Sequence, residues 1–103
     1  MQIDILYFEG CPNHVPTVER VKQIVADMGL AVPVTEVQIT TPEEAQQRRF
    51  LGAPTVLVNG MDIDPHARQQ AHYGLSCRVY PGGSGFPPDA LIRAALQPPH
   101  PPA

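Results

Sequence analysis

Phe8-Glu9-Gly10-Cys11-Pro12-Asn13-His14 closes one apolar run of the chain, and Gly52-Ala53-Pro54-Thr55 opens another. Residues 2–9 carry Ile3, Ile5, Leu6, Tyr7 and Phe8 without a breaker, so they predict an inner strand covered on both faces, which Gly10 ends. Beyond Cys11, Val15, Val18, Val21, Ile24, Val25 and Met28 recur at three- and four-residue spacing, while Glu19, Arg20, Lys22, Gln23 and Asp27 fill the other side. This is the pattern of an amphipathic helix. Pro16 suits its first turn, where a missing N–H would have had no intrahelical partner, and Gly29 suits the position just past its end. The quoted stretch therefore sets a cysteine between a strand and a helix start.

Working outward, residues 32–39 alternate through Val34, Val37 and Ile39 and predict a second strand, with Pro33 marking a sheet edge. Thr41-Pro42-Glu43-Glu44 has the makings of a helix start: Thr41 caps, Pro42 takes the first helical position and Glu44 reaches back as in a capping box. That short helix is expected to run to about Phe50. Residues 55–58 and 61–64 flank Asn59-Gly60, a dipeptide that accepts positive φ at both central positions of a type I′ turn, so they predict a hairpin. The span 65–88 is expected to be mostly irregular, with at most a short strand near Tyr73, Leu75, Cys77, Val79 and Tyr80. Residues 88–96 predict a final helix with Leu91, Ile92, Ala95 and Leu96 on one face, and residues 97–103 a proline-rich, disordered tail.

The 103 residues suit one compact domain, here residues 1–96, because two cores of this total length would each bury too little apolar surface. A hydrophobic share of 43% against 17% charged residues describes an ordinary globule rather than a disordered chain. The net charge of −3, with only seven Lys and Arg and no basic run, excludes a phosphate-neutralising surface for nucleic acid. No apolar run is long enough to predict a membrane span. The first residues lack a basic n-region, so a cytoplasmic location is expected, where two cysteines stay reduced and serve catalytic, redox or metal-linked ends more readily than a permanent staple.

The element order strand, helix, strand, helix, hairpin, helix predicts an α/β fold: a right-handed βαβ unit with the hairpin added antiparallel to the first strand, giving a four-stranded mixed central sheet flanked by helices. In that plan Cys11, Pro54 and the segment from Pro65 onward share one edge, which makes Cys77 a topological neighbour of Cys11. A helix following Cys11 directs partial positive charge at its sulfur and favours the nucleophilic thiolate; the plain alternative is a small buried hydrophobe. His14, one helical turn on, can stabilise that thiolate or relay a proton, or is simply an exposed helix-start residue. Cys77 can resolve a sulfenic acid or mixed disulfide on Cys11, with Arg78 favouring its own thiolate, or is a buried structural cysteine.

The blocks Tyr7-Phe8-Glu9-Gly10-Cys11-Pro12-Asn13-His14, Arg49-Phe50-Leu51-Gly52-Ala53-Pro54-Thr55-Val56 and Gly74-Leu75-Ser76-Cys77-Arg78-Val79-Tyr80 resemble the thioredoxin superfamily. More narrowly they resemble the bacterial DF family of thioredoxin-like proteins and selenoproteins, over most of the chain to about Leu96. The resemblance implies a thioredoxin-like fold in which Cys11 occupies a redox-active position that is selenocysteine in some relatives. It also implies a cis-proline at Pro54, with Ala53, Pro54 and Thr55 presenting backbone to an extended partner by strand addition; the bland alternative is a trans proline starting a strand. The chain departs from thioredoxin itself at His14, where a second motif cysteine would stand. The expected function is a thiol oxidoreductase, without cofactor, acting on a protein disulfide or small oxidant, with Cys11, His14 and Cys77 catalytic and Cys77 or an external thiol reductant resolving the intermediate. The alternatives are a soft-metal protein binding mercury, copper or zinc through Cys11, Cys77 and His14, and a non-catalytic adaptor.

Overall fold

The computed structural model describes residues 1–97, so the tail expected over 97–103 lies, from residue 98 on, outside the described residues. Four strands form one mixed sheet in the order β2-β1-β3-β4: β1 is Ile3–Tyr7, β2 Val34–Gln38, β3 Thr55–Val58 and β4 Met61–Asp62. β1 runs parallel to β2, with Ile3 opposite Val34 and Tyr7 opposite Gln38, and antiparallel to β3, with Ile3 opposite Val58 and Leu6 opposite Thr55. That register brings the end of β1 and the start of β3 to the same end of the sheet. The helices are α1 (His14–Asp27), α2 (Pro42–Gln47) and α3 (Asp89–Leu96), with a 3₁₀ turn at Ala67–Gln69. No helix among the described residues is long and apolar enough to cross a membrane.

Alternation along the inner strands divides the core in two. Ile3, Ile5, Val56 and Val58 pack with Val18, Val21, Ile24 and Val25 of α1 and Ile92 and Leu96 of α3. Leu6 and Leu57 point the other way and pack with Ala45 of α2, Ile39, Phe50 and Ala53. Both faces are covered, which is why β1 carries apolar residues on both sides, interrupted by Asp4, rather than a strict alternation. Arg20 and Asp89 tie α1 to α3 across the surface through Nε–Oδ1 at 2.8 Å and Nη2–Oδ2 at 2.6 Å.

Element ends follow local chemistry. α1 stops in a Schellman turn in which Gly29, at φ +68°, donates to the Ala26 carbonyl and Leu30 donates to Val25. α2 uses the same turn with Arg49 at φ +55°: Arg49 donates to Gln46 and buried Phe50 to Ala45, so α2 closes at Gln47 rather than near Phe50. At its start Thr41 Oγ1 accepts from the Glu44 N–H at 3.1 Å, and the Glu44 carboxylate returns to the Thr40 N–H at 3.2 Å. Those bonds to Thr40 hold the Glu44 carboxyl below its usual range. Asn59 and Gly60 both adopt positive φ, at +53° and +81°, as the hairpin requires. β4 is shorter than the expected 61–64 because Asp62 Oδ1 accepts from the Asp64 N–H and Asp64 Oδ1 from the His66 N–H, two Asx turns that bend the chain out of the sheet.

Candidate functional site

Cys11 lies in the loop between β1 and α1, partly exposed, with its N–H donated to the Phe8 carbonyl at 3.2 Å. Its side chain packs against the cluster that contains Leu6, Ile39 and Ala53. The capping residue of α1 is Asn13, so Cys11 stands two residues ahead of the cap. The His14 N–H leans back to the Cys11 carbonyl at 3.4 Å, and Pro16 has no N–H. The helix therefore offers the sulfur fewer free donors than a complete first turn would. Asn13 in turn lies against Gly85, where a Cβ would collide with its amide, so the loop after Tyr80 closes over the start of α1.

His14 is held by two neighbours on the sheet. Its ring stacks on Tyr7 of β1, with centroids 3.5 Å apart and planes 6° from parallel, and Nε2 lies 2.7 Å from Glu36 Oε1 of β2. With its side chain 15% exposed, it is an oriented, half-sheltered group rather than a free surface histidine. No hydrogen bond joins it to the Cys11 sulfur among the described residues.

The Pro54 loop is closed over by the chain itself. The peptide bond between Ala53 and Pro54 is cis, and Gly52, Ala53, Pro54 and Thr55 are all buried, Ala53 to 1% and Thr55 to 0% exposure. The Ala53 N–H donates to the Ser76 carbonyl at 2.8 Å, and the Ala53 carbonyl accepts from the Arg78 N–H at 3.0 Å, which makes a parallel bridge between Ala53 and Cys77. The Thr55 hydroxyl donates to the Gly52 carbonyl at 2.6 Å. The backbone expected to receive an extended partner at Ala53, Pro54 and Thr55 is thus already paired within the chain.

Residues 77–80 alternate like a strand, with Cys77 and Val79 exposed and Arg78 and Tyr80 buried. Arg78 grips Asp62 with two bonds, Nη1–Oδ2 at 2.6 Å and Nη2–Oδ1 at 2.9 Å, touches the Thr55 hydroxyl at 3.3 Å and lies over the Tyr80 ring at 4.3 Å. Burial is the strongest single influence and works against the Arg78 charge, but hydrogen bonding to Asp62 and the charges of Tyr80, Asp62 and Asp64 together outweigh it, and the guanidinium stays more basic than usual. This corrects the expected role of Arg78, whose charge is committed to Asp62 on the inner face while Cys77 faces out. Tyr80 donates its hydroxyl to the Pro54 carbonyl at 2.6 Å, and its burial raises the phenol well above the ordinary range. Cys77 is an exposed free thiol, which removes the alternative of a buried structural cysteine.

Cys11 and Cys77 are both free thiols. No group of three His, Cys, Asp or Glu side chains that could hold a metal exists among the described residues, so His14 does not complete a three-ligand site with the two sulfurs. The sequence reading missed Asp62, Tyr80 and Glu36. The alternation of Arg78 and Tyr80 was a visible sign of an inner face, but nothing in the sequence names Asp62 as the partner. No family model matches the chain, and no curated protein matches it in sequence.

Proposed function

We propose that the chain is a thioredoxin-like thiol oxidoreductase in which Cys11 is the nucleophile. The observation that carries this reading is the partly exposed Cys11, set between β1 and the start of α1 and packed against the cluster that holds Ala53 of the Pro54 loop. The four-stranded mixed sheet with helices on both faces and the three sequence blocks support the resemblance to the DF family.

With a disulfide, the Cys11 thiolate forms a bond to one sulfur and breaks the S–S bond, releasing the other sulfur as a thiolate that takes a proton. His14, oriented by Glu36, supplies that proton. A second thiolate, from Cys77 or an external thiol, then attacks the Cys11 sulfur and releases the remaining thiolate. The two thiols are oxidised to a disulfide and the substrate disulfide is reduced to two thiols. With a hydroperoxide, the Cys11 thiolate takes the distal oxygen with its hydrogen, the O–O bond breaks and the other oxygen leaves as an alkoxide that takes a proton to become an alcohol; the sulfenic acid then condenses with the second thiol to give a disulfide and water.

The test is to trap the intermediate in Cys77→Ser protein, after removing external thiol, with a small disulfide and intact-mass spectrometry. One adduct on Cys11, missing in Cys11→Ser protein, supports the reading. If Cys11 forms no adduct with either a disulfide or hydrogen peroxide, the reading is wrong.

A further inference from the structure

Strand addition beside a reactive thiol needs a backbone with a free donor and acceptor, because main-chain hydrogen bonds supply the affinity in that mode of recognition. Ala53 is the residue of the Pro54 loop that shares a packed cluster with Cys11, and both of its backbone groups are bonded to residues 76 and 78. The neighbouring bonds reinforce this seal. The Gly74 N–H donates to the Phe50 carbonyl at 3.1 Å, the Tyr80 hydroxyl closes the Pro54 carbonyl, and Arg78 is buried against Asp62. Gly52, at φ +121°, lets the strap sit so close that a Cβ there would come within 2.9 Å of the Ser76 carbonyl oxygen. Seen from this edge, the strap occupies the place of an extended ligand.

Phe8 and Glu9, three and two residues ahead of Cys11, line a small cleft of about 280 Å³ together with Gln38, Ile39, Thr40 and Leu75. Phe8, whose carbonyl binds the Cys11 N–H, forms one wall, and Leu75 of the strap forms another. A volume of this order is at the lower end of small-molecule sites. Its polar groups are Glu9, Gln38 and Thr40, and the Glu9 carboxylate without a cation beside it disfavours an anionic substrate.

We infer that the substrate of Cys11 is a low-molecular-weight disulfide without negative charge, and that the strap formed by residues 74–80 keeps extended polypeptide disulfides from the edge beside it. This rests on the thiol chemistry proposed for Cys11 and narrows its substrate class. The same exchange applies, with Cys11 joined to half of the small disulfide, the other half leaving as a thiol, and Cys77 or an added thiol supplying the reducing equivalents.

The experiment compares the rate of Cys11 adduct formation with bis(2-hydroxyethyl) disulfide and with two short peptides joined by one disulfide, using the full chain. The small disulfide is expected to react faster by at least about tenfold, the effect of withholding two backbone hydrogen bonds from the peptide. Tyr80→Phe, which loosens the strap at Pro54, should raise the peptide rate and narrow that ratio. Amide exchange on the unmodified protein gives a separate reading, with slow exchange expected at Ala53 and Arg78. Equal rates for the two disulfides, or rapid exchange at Ala53 in a folded protein, would overturn the inference while leaving the nucleophile intact. Failure of Cys11 to react with either disulfide would instead remove the proposed function and this inference together.

Discussion

The loop that carries Cys11 and the edge around Pro54 meet at one end of the sheet yet are built on opposite terms. The first is held by single turns and a helix start, and leaves its cysteine partly exposed. The second buries four consecutive residues, closes both Ala53 backbone groups and adds a buried ion pair and a buried phenol. The difference teaches that accessibility here belongs to the thiol and rigidity to its surroundings. A site of this kind confines changes in chemistry to one side chain and changes in stability to its neighbours.

The comparison is broken most forcefully at the ion pair. Asp62→Ala leaves Arg78 charged among groups that are nine-tenths buried, and is expected to lower stability by about 3–5 kcal/mol in urea unfolding. Tyr80→Phe leaves the Pro54 carbonyl without its donor and should cost about 1–3 kcal/mol by the same measurement. Glu36→Gln weakens a partly exposed pair with His14 and should cost no more than about 1 kcal/mol, while slowing protonation of the leaving thiolate in stopped-flow assays. Cys11→Ser, at the partly exposed thiol, is expected to move stability least, by about 0.5 kcal/mol or less, and to abolish adduct formation altogether. A large loss of stability in that variant would make Cys11 a packing residue first.

Acid titration probes a third region, the exposed caps and helix ties. Glu44 and Asp89 titrate below their ordinary values of 4.5 and 3.8, held down by Thr40 and Arg20 respectively. Groups with depressed folded-state values bind protons more readily when unfolded, so their contribution is present above the ordinary values and disappears as pH falls through the folded ones. Urea midpoints should therefore fall as pH is lowered from 5 toward 2, and Asp89→Asn should flatten part of that fall.

Much of this architecture could be read from residues whose geometry is decided locally. Asn59 and Gly60 accept positive φ, the valines of α1 repeat with the helix, and Thr41 and Glu44 bracket the start of α2. Arg49 shows where such reading fails. It takes the left-handed position that Gly29 fills in α1, because burial of Phe50 against Ala45 fixes the turn regardless of the residue's preference. The cysteine loop was legible for the same local reasons, whereas the strap was not. Arg78 reaches Asp62 across 16 positions and Tyr80 reaches Pro54 across 26, distances over which no short-range rule pairs a donor with an acceptor. The expectation of an open Ala53 backbone failed because the sequence shows that an edge exists and not what fills it.

The two anchors on either side of residues 69–72 are noncovalent, Arg68 Nε on the Asp62 carbonyl before them and the Gly74 N–H on the Phe50 carbonyl after them, and residues 69–72 are all exposed. A protease nick in that stretch would consequently leave two fragments that stay associated, and the gap would tolerate inserted sequence or new chain ends without disturbing the sheet.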